Sequence, residues 1–140
     1  MSRLPLLKEL PASFGQLHSL KKMVGRDLSI TCLPASFGLL PSLEELDLQQ
    51  CTELATIPPE FGLLSSLRTF RCCISSIAAL PREFGNLAAL ESLDITSCPL
   101  ATLPAEVGNL AALRKLTLSQ LPISALPREL GSLLSLERLS

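Results

Sequence analysis

The chain contains no tryptophan, no tyrosine and one histidine, His18, in 140 residues. Binding hot spots favour Trp, Tyr and Arg, so this composition argues against a small, tight interface and leaves room for a broad polar one. His18 sits in Gly15-Gln16-Leu17-His18-Ser19-Leu20 with no visible nucleophile, base or metal ligand beside it. No catalytic site, metal or cofactor is therefore expected. Glycines recur singly and never as a Gly-x-x-x-x-Gly-Lys-Ser/Thr phosphate loop, so a nucleotide site is not expected either. Charge is equally uneventful: 12 basic and 13 acidic residues are scattered, with a formal net charge of -1. That balance leaves no electrostatic footprint for nucleic acid or anionic lipid. The most apolar stretch, Cys72 to Leu80, is interrupted by Ser75 and Ser76 and closes at Pro81-Arg82, so no membrane span is expected. The opening Met-Ser-Arg-Leu-Pro lacks the apolar core of an export leader, and a cytoplasmic location follows as the expectation. The 5 cysteines form neither Cys-x-x-Cys knuckles nor an even disulfide framework, which suits reduced thiols.

What the chain does have is a period. Leu/Ile-Pro-x-x-apolar-Gly-x-Leu occurs six times, with glycines at Gly15, Gly38, Gly62, Gly85, Gly108 and Gly131, spaced 23, 24, 23, 23 and 23 residues apart. Units of that size cannot bury their own apolar side and must stack on their neighbours, so the chain reads as a solenoid. The array fills residues 1–140 as about six units, the first and last incomplete and neither polar-capped. Open apolar ends of this kind predict a segment of a longer array, or self-association end to end.

Each unit has two halves. The first is Leu-x-x-Leu-x-Leu, as at Leu43, Leu46 and Leu48 or Leu113, Leu116 and Leu118, and its last three residues alternate in, out, in. That is a short strand with one buried face, and strands that all return by the same connection pair in parallel, with right-handed crossovers. Leu20, Met23 and Gly25 follow the pattern less well, and Gly25 is expected to leave a hole in the ladder. The second half, Pro81-Arg82-Glu83-Phe84-Gly85-Asn86-Leu87, predicts a short helix or 3₁₀ turn with proline at its first position. Its glycine either ends the turn or permits close packing. Phe14, Phe37, Phe61 and Phe84 share one position and should stack into a core column continued by Val107 and Leu130.

The run from Leu43 to Leu64, Leu-x-x-Leu-x-Leu-x-x-Cys-x-x-Leu-x-x-Ile-Pro-x-x-Phe-Gly-x-Leu, resembles the leucine-rich repeat family. Its 23-residue units look like the intracellular Ras-suppressor type and the repeats of plant nucleotide-binding immune receptors, and Cys51 and Cys98 favour the second comparison. The resemblance implies an α/β solenoid with short parallel strands on a concave face and short helices or 3₁₀ turns on the convex one. It also implies a non-catalytic protein-recognition module, part of a larger signalling or immune receptor; the alternative is a spacer with no ligand of its own. One departure stands out. Where the family places an asparagine, this chain has Leu28, Cys51, Ser75, Cys98 and Leu121, so some turn amides must find another partner.

Candidate site residues follow from strand alternation. Three columns should face out of the concave sheet: Lys22, Glu45, Thr69, Ser92, Lys115 and Arg138; Val24, Asp47, Arg71, Asp94 and Thr117; and Arg26, Gln49, Cys73, Thr96 and Ser119. With strands about 4.8 Å apart, Asp47, Arg71 and Asp94 form an acid-base-acid row, readable as a recognition strip for a protein or peptide or as a solvated face. Cys72 should point inward and Cys73 outward. Cys73 is thus the expected reactive thiol if any is, a structural role being the alternative. Cys51 and Cys98 lie two repeats apart, about 10 Å by strand spacing, too far for a disulfide.

Overall fold

The computed structural model describes residues 7–140. The reading of Met-Ser-Arg-Leu-Pro as a chain start without a leader, and the first residues of the 1–140 array, lie outside them. Six strands pair in chain order into one parallel sheet: β1 (Lys22–Arg26), β2 (Glu45–Gln49), β3 (Thr69–Cys73), β4 (Ser92–Thr96), β5 (Lys115–Ser119) and β6 (Arg138–Leu139). Five-residue 3₁₀ turns alternate with them, at Ala12–Gln16, Ala35–Leu39, Pro59–Leu63, Arg82–Asn86, Ala105–Asn109 and Arg128–Ser132. The chain is the expected α/β solenoid. Among the described residues no helix is long and apolar enough to cross a membrane.

Sequence spacing explains why these turns are 3₁₀. The apolar residue and the following leucine of each unit are three apart, as Phe37 and Leu40 or Phe84 and Leu87 are. A helix of three residues per turn eclipses positions i and i+3, so it alone puts both squarely on the core side. Both members of each of these pairs are fully buried. The six repeat prolines, however, do not occupy the first turn position as the sequence suggested; only the additional Pro59 does. Pro11, Pro34, Pro58, Pro81, Pro104 and Pro127 each precede it in extended backbone, with ψ between 142° and 155°. From there the proline carbonyl accepts the first i to i+3 bond, as from Phe14 N–H at 2.9 Å and Phe84 N–H at 3.0 Å. A cap position demands non-helical ψ together with a free carbonyl, and a proline φ near -65° satisfies it without wasting an N–H.

The core lies between sheet and turns. Leu46, Phe70, Leu93 and Leu116 form one buried row of the sheet, and Leu48, Cys72 and Ile95 a second. The phenylalanine column is present: Phe14, Phe37, Phe61 and Phe84 stack with centroids 5.8, 6.2 and 5.7 Å apart and planes within 7° of parallel. Phe70 of β3 leans against Phe61 at 5.1 Å and Phe84 at 6.0 Å, tying sheet to turns. Gly25 leaves no hole. A methyl there would come within 2.7 Å of Leu28 Cδ1 and 3.1 Å of Leu48 Cδ2. Leu28, where the family has asparagine, thus fills the space that Gly25 vacates. The extra residue of the 24-residue unit is absorbed in a turn closed by Leu54 N–H to Cys51 O at 3.0 Å.

Of the two roles open to the repeat glycine, the structure selects close packing. No glycine has positive φ. At Gly15, Gly38, Gly62, Gly85 and Gly108 a methyl group would collide with the backbone carbonyl of Ser36, Glu60, Glu83, Glu106 and Glu129 in the next turn. Gly131 has nothing within 4 Å of that position. The left-handed residues are instead Asp27, Gln50, Ile74, Ser97 and Gln120, one after each full strand, with φ of 56° to 59°. This kink directs the N–H of the first four to the last carbonyl of the following strand, at 2.8 to 3.1 Å. Ile74 is β-branched, the kind of residue that tolerates left-handed backbone least.

Two expectations follow. Gly85→Ala should destabilise the chain by about 1 to 3 kcal/mol through overpacking against backbone, whereas Gly131→Ala should stay within about 0.5 kcal/mol; urea unfolding of both variants measures the contrast. Ile74→Asn should raise stability by about 1 kcal/mol, because asparagine accepts left-handed φ and the exposed isoleucine gives up little burial. A lower urea midpoint for that variant would refute the strain assignment.

Candidate functional site

The sheet's outward positions form the three expected columns in register, so Lys22, Glu45, Thr69, Ser92, Lys115 and Arg138 are direct neighbours in sequence order. Val24, Asp47, Arg71, Asp94 and Thr117 make the second column, and Arg26, Gln49, Cys73, Thr96 and Ser119 the third. Lys22, Val24, Arg26, Glu45 and Arg71 are exposed and the remainder half-buried, apart from Arg138, which is exposed on β6. A depression of about 360 Å³ opens between Lys22, Glu45, Asp47, Thr69 and Arg71.

Asp47, Arg71 and Asp94 stand in one row, but the ion pairs such a row suggests do not form. Asp47 turns away from Arg71: Arg26 Nη2 lies 3.8 Å from its Oδ2, and Gln49 Nε2 donates to the same oxygen at 3.1 Å. Asp94 is held by Thr96 Oγ1 at 2.8 Å and by the Cys73 thiol at 3.9 Å. The physical reason is proximity along the strand. Gln49 and Thr96, two residues on, share the carboxylate's face and reach it with short side chains, and Arg26 joins Asp47 from the neighbouring strand. Third-column donors therefore clamp second-column carboxylates. Arg71 is left with no ion pair among the described residues, as are Lys115 and Arg138, while Lys22 pairs with Glu45 at 2.7 Å. Asp47 Oδ1 is shielded from solvent and has no hydrogen-bond partner among the described residues.

A further column escaped the sequence reading. Lys21, Glu44, Arg68, Glu91, Arg114 and Glu137, each one residue before the first column, alternate in sign and pair as Lys21–Glu44 at 3.8 Å, Arg68–Glu91 at 3.1 Å and Arg114–Glu137 at 2.6 Å. The signal was available, since these residues recur at the glycine spacing. All are solvent-screened pairs worth about 0 to 1 kcal/mol each, so they border the face more than they stabilise it.

At three of the five positions where the family has asparagine the replacement is polar, two thiols and one hydroxyl, while Leu28 and Leu121 hold the other two. Cys51 Sγ lies 3.6 Å from Gly25 O and 3.7 Å from Gln49 O, and Cys98 Sγ lies 3.4 Å from Thr96 O and 3.7 Å from Cys72 O. Ser75 Oγ accepts the Ile77 N–H at 3.3 Å. These thiol contacts are long and weak, as sulfur donors are. Cys72 is buried and Cys73 half-buried, as alternation requires. Cys73 is nevertheless not an activated thiol: burial and then the nearby Asp94 carboxylate push its pKa up. Cys98 is the thiol whose pKa falls, to about 6, chiefly through its hydrogen bond with Cys72. His18 is exposed in the connection after the first turn. Among the described residues no group of three or more His, Cys, Asp or Glu is placed to hold a metal ion.

Repeated strands, stacked turns and substituted asparagine positions all describe one kind of repeat, and residues 59–140 match the family model of a leucine-rich repeat region, with 42–64 matching a single Leucine Rich Repeat. The chain belongs to the leucine-rich repeat family. Among solved structures, a leucine-rich repeat protein of Leptospira interrogans is similar with a TM-score of 0.69 and 29% identity, over 95% of this chain and 40% of its own length. The leucine-rich repeat domain of the type III effector XopL gives 0.62 and 24% identity, over 94% and 64%. The Arabidopsis receptor kinase HAESA, solved with the peptide hormone IDA and the co-receptor SERK1, gives 0.71 and 23% identity, over 94% and 23%. This leucine-rich repeat array thus spans less than half the length of the bacterial protein and about a quarter of the receptor kinase. No curated protein sequence matches it.

Asp94→Asn should speed iodoacetamide modification of Cys73 at pH 7.5 several-fold. Removing the negative charge lowers the thiol pKa and enlarges the thiolate fraction that reacts. Peptide mass mapping over time reads the rate, and an unchanged rate would mean that Asp94 does not control this thiol.

Proposed function

We propose that this leucine-rich repeat array is a non-catalytic recognition module that binds a protein or extended peptide along its concave sheet, with Arg71 as the principal anchor. The observation that carries the reading is the inequality of the face's polar groups. Its carboxylates are held by neighbouring donors and its edge is paired off, yet Arg71 stands exposed at the centre of the face with no ion pair among the described residues. An acidic side chain of the partner can meet this guanidinium in bidentate geometry. The exposed apolar Val24 extends the contact surface toward β1.

Support for a peptide-type partner also comes from similar solenoids: the plant peptide hormone receptor RGFR1, solved with RGF2, shares 25% identity over 91% of this chain and 25% of its own. The finer assignment, to a larger cytoplasmic signalling or plant-type immune receptor, is supported by the 23-residue repeat type and by an odd set of five free cysteines. Extending the coding sequence in both directions tests it. An adjoining nucleotide-binding domain is the expected result, and an export leader would contradict the location.

The absence of Trp and Tyr favours a second reading, a spacer with no ligand of its own. Selection of a displayed random-peptide library on the purified array separates the two. Acidic peptides should be enriched, and Arg71→Glu should lower their affinity by about tenfold or more, since a charged hydrogen-bonded contact becomes a repulsive one. No enrichment at all would leave the spacer, and undiminished affinity in Arg71→Glu would move the site off this row.

A further inference from the structure

The post-strand turn position holds Cys51, Ser75 and Cys98 in three successive repeats, and the two cysteines stand in different company. Behind Cys51 the preceding repeat offers Gly25 and Leu28, with no polar side chain. Behind Cys98 it offers Cys72 from β3 and Ser75 from the turn. Ser75 Oγ lies 3.1 Å from Cys98 Sγ and 3.5 Å from Cys72 Sγ, so one hydroxyl bridges the two thiols, and Cys98 Sγ lies 3.7 Å from the Cys72 carbonyl oxygen. The three side chains thus form one buried cluster linking β3 to the turn after β4.

Equivalent cysteines titrate in opposite directions for this reason. Burial pushes the Cys51 thiol up. Cys98 is brought down to about 6 because a hydrogen bond from Cys72 comes first, aided by the Ser75 hydroxyl and by the backbone N–H groups of Ser75 and Ile74. Cys72 moves upward, first through the same bond to Cys98 and then through burial. One sulfur is thereby prepared to attack while its neighbour keeps a proton, the division of labour between a nucleophilic and a resolving thiol.

We propose that Cys98 and Cys72 form an oxidisable dithiol site that a small hydroperoxide converts into a disulfide between β3 and the turn after β4. In the first step the Cys98 thiolate attacks one peroxide oxygen, the O–O bond breaks, and the departing oxygen takes up a proton and leaves as water, giving a sulfenic acid. In the second, Cys72 sulfur attacks the sulfenic sulfur, the S–S bond forms, and the hydroxyl leaves with the Cys72 proton as a second water. Two thiols are oxidised and one hydrogen peroxide is reduced to two waters. Size selects the oxidant. Cys98 is 4% exposed and Cys72 fully buried, so a water-sized peroxide has access where a tripeptide disulfide does not.

The test treats the folded chain with hydrogen peroxide, blocks free thiols in denaturant and maps the peptides by mass spectrometry. A Cys72–Cys98 cross-link with a mass loss of about 2 Da, reversed by dithiothreitol, is expected. In Cys72→Ser the reaction should stop at a Cys98 sulfenic acid, trapped by dimedone about tenfold faster than any at Cys51 at pH 7. Because either cysteine variant alters the core, a second readout uses the unaltered chain: peroxide should shift its Tm and dithiothreitol should restore it. The proposal is overturned if both thiols remain alkylatable after peroxide, if the first oxidation falls on Cys32 or Cys73, or if the cross-link forms only in denaturant.

Discussion

The near approach of one 3₁₀ turn to the next is the constraint on which the solenoid depends, and glycine at five stacked positions is what allows it. It also fixes the curvature. Phenylalanine rings on the turn side repeat every 5.7 to 6.2 Å, while hydrogen-bonded strands repeat about every 4.8 Å. A stack whose one side advances faster than the other must bend toward the slower side, so the sheet becomes concave. A side chain at the glycine position would push the outer spacing further apart, and the strands, already at their hydrogen-bonding distance, cannot follow.

Bending places the sheet's outward side chains on an inner surface, where what is left unsatisfied matters more than what is charged. Gln49 and Thr96 each donate to one oxygen of Asp47 and Asp94 from two residues along the same strand, and the column from Lys21 to Glu137 is paired within itself. The residual electrostatic feature at the centre is a single guanidinium, Arg71. Lys115 and Arg138 extend positive charge toward the last strands, in register with each other. Under the proposed function, a partner is selected by where it carries negative charge, since a cation set against these unpaired groups is repelled.

Regular features were legible because stacking makes a one-dimensional pattern into a spatial one. A constant interval of 23 or 24 residues is enough to predict strand register, the phenylalanine column and which residues share the concave face. Features requiring comparison between positions were less legible. Gly25 and Leu28 each look like a defect when read against the repeat, and only their three-residue separation across the turn shows that one fills the other's space. Proline was placed one residue too far along, because a proline before a 3₁₀ turn and a proline opening a helix share the same φ and differ in ψ, which the residue does not reveal. The pairing of Asp47 with Arg26 instead of Arg71 depended on rotamers, and a row drawn by register alone carries no rotamer information.

The same alternation explains why the two functional readings meet on one strand. In β3 successive residues Arg71, Cys72 and Cys73 point out, in and out, so the anchoring guanidinium and the resolving thiol are bonded neighbours on opposite faces. Cys73 in turn touches Asp94, which is one residue from Ile95 in the row that Cys72 completes. A short strand held on both sides by ladder hydrogen bonds cannot rotate one side chain's backbone without moving the next. The strand that presents the proposed anchor is therefore also the one whose inner face carries a buried thiol and hydroxyl cluster, and of the four inner strands it is the only one to place a thiol where its neighbours place leucine or isoleucine. Leucine at that position would bring apolar volume and no polar contact; cysteine gives up that volume for a group that bonds Ser75 in the following turn.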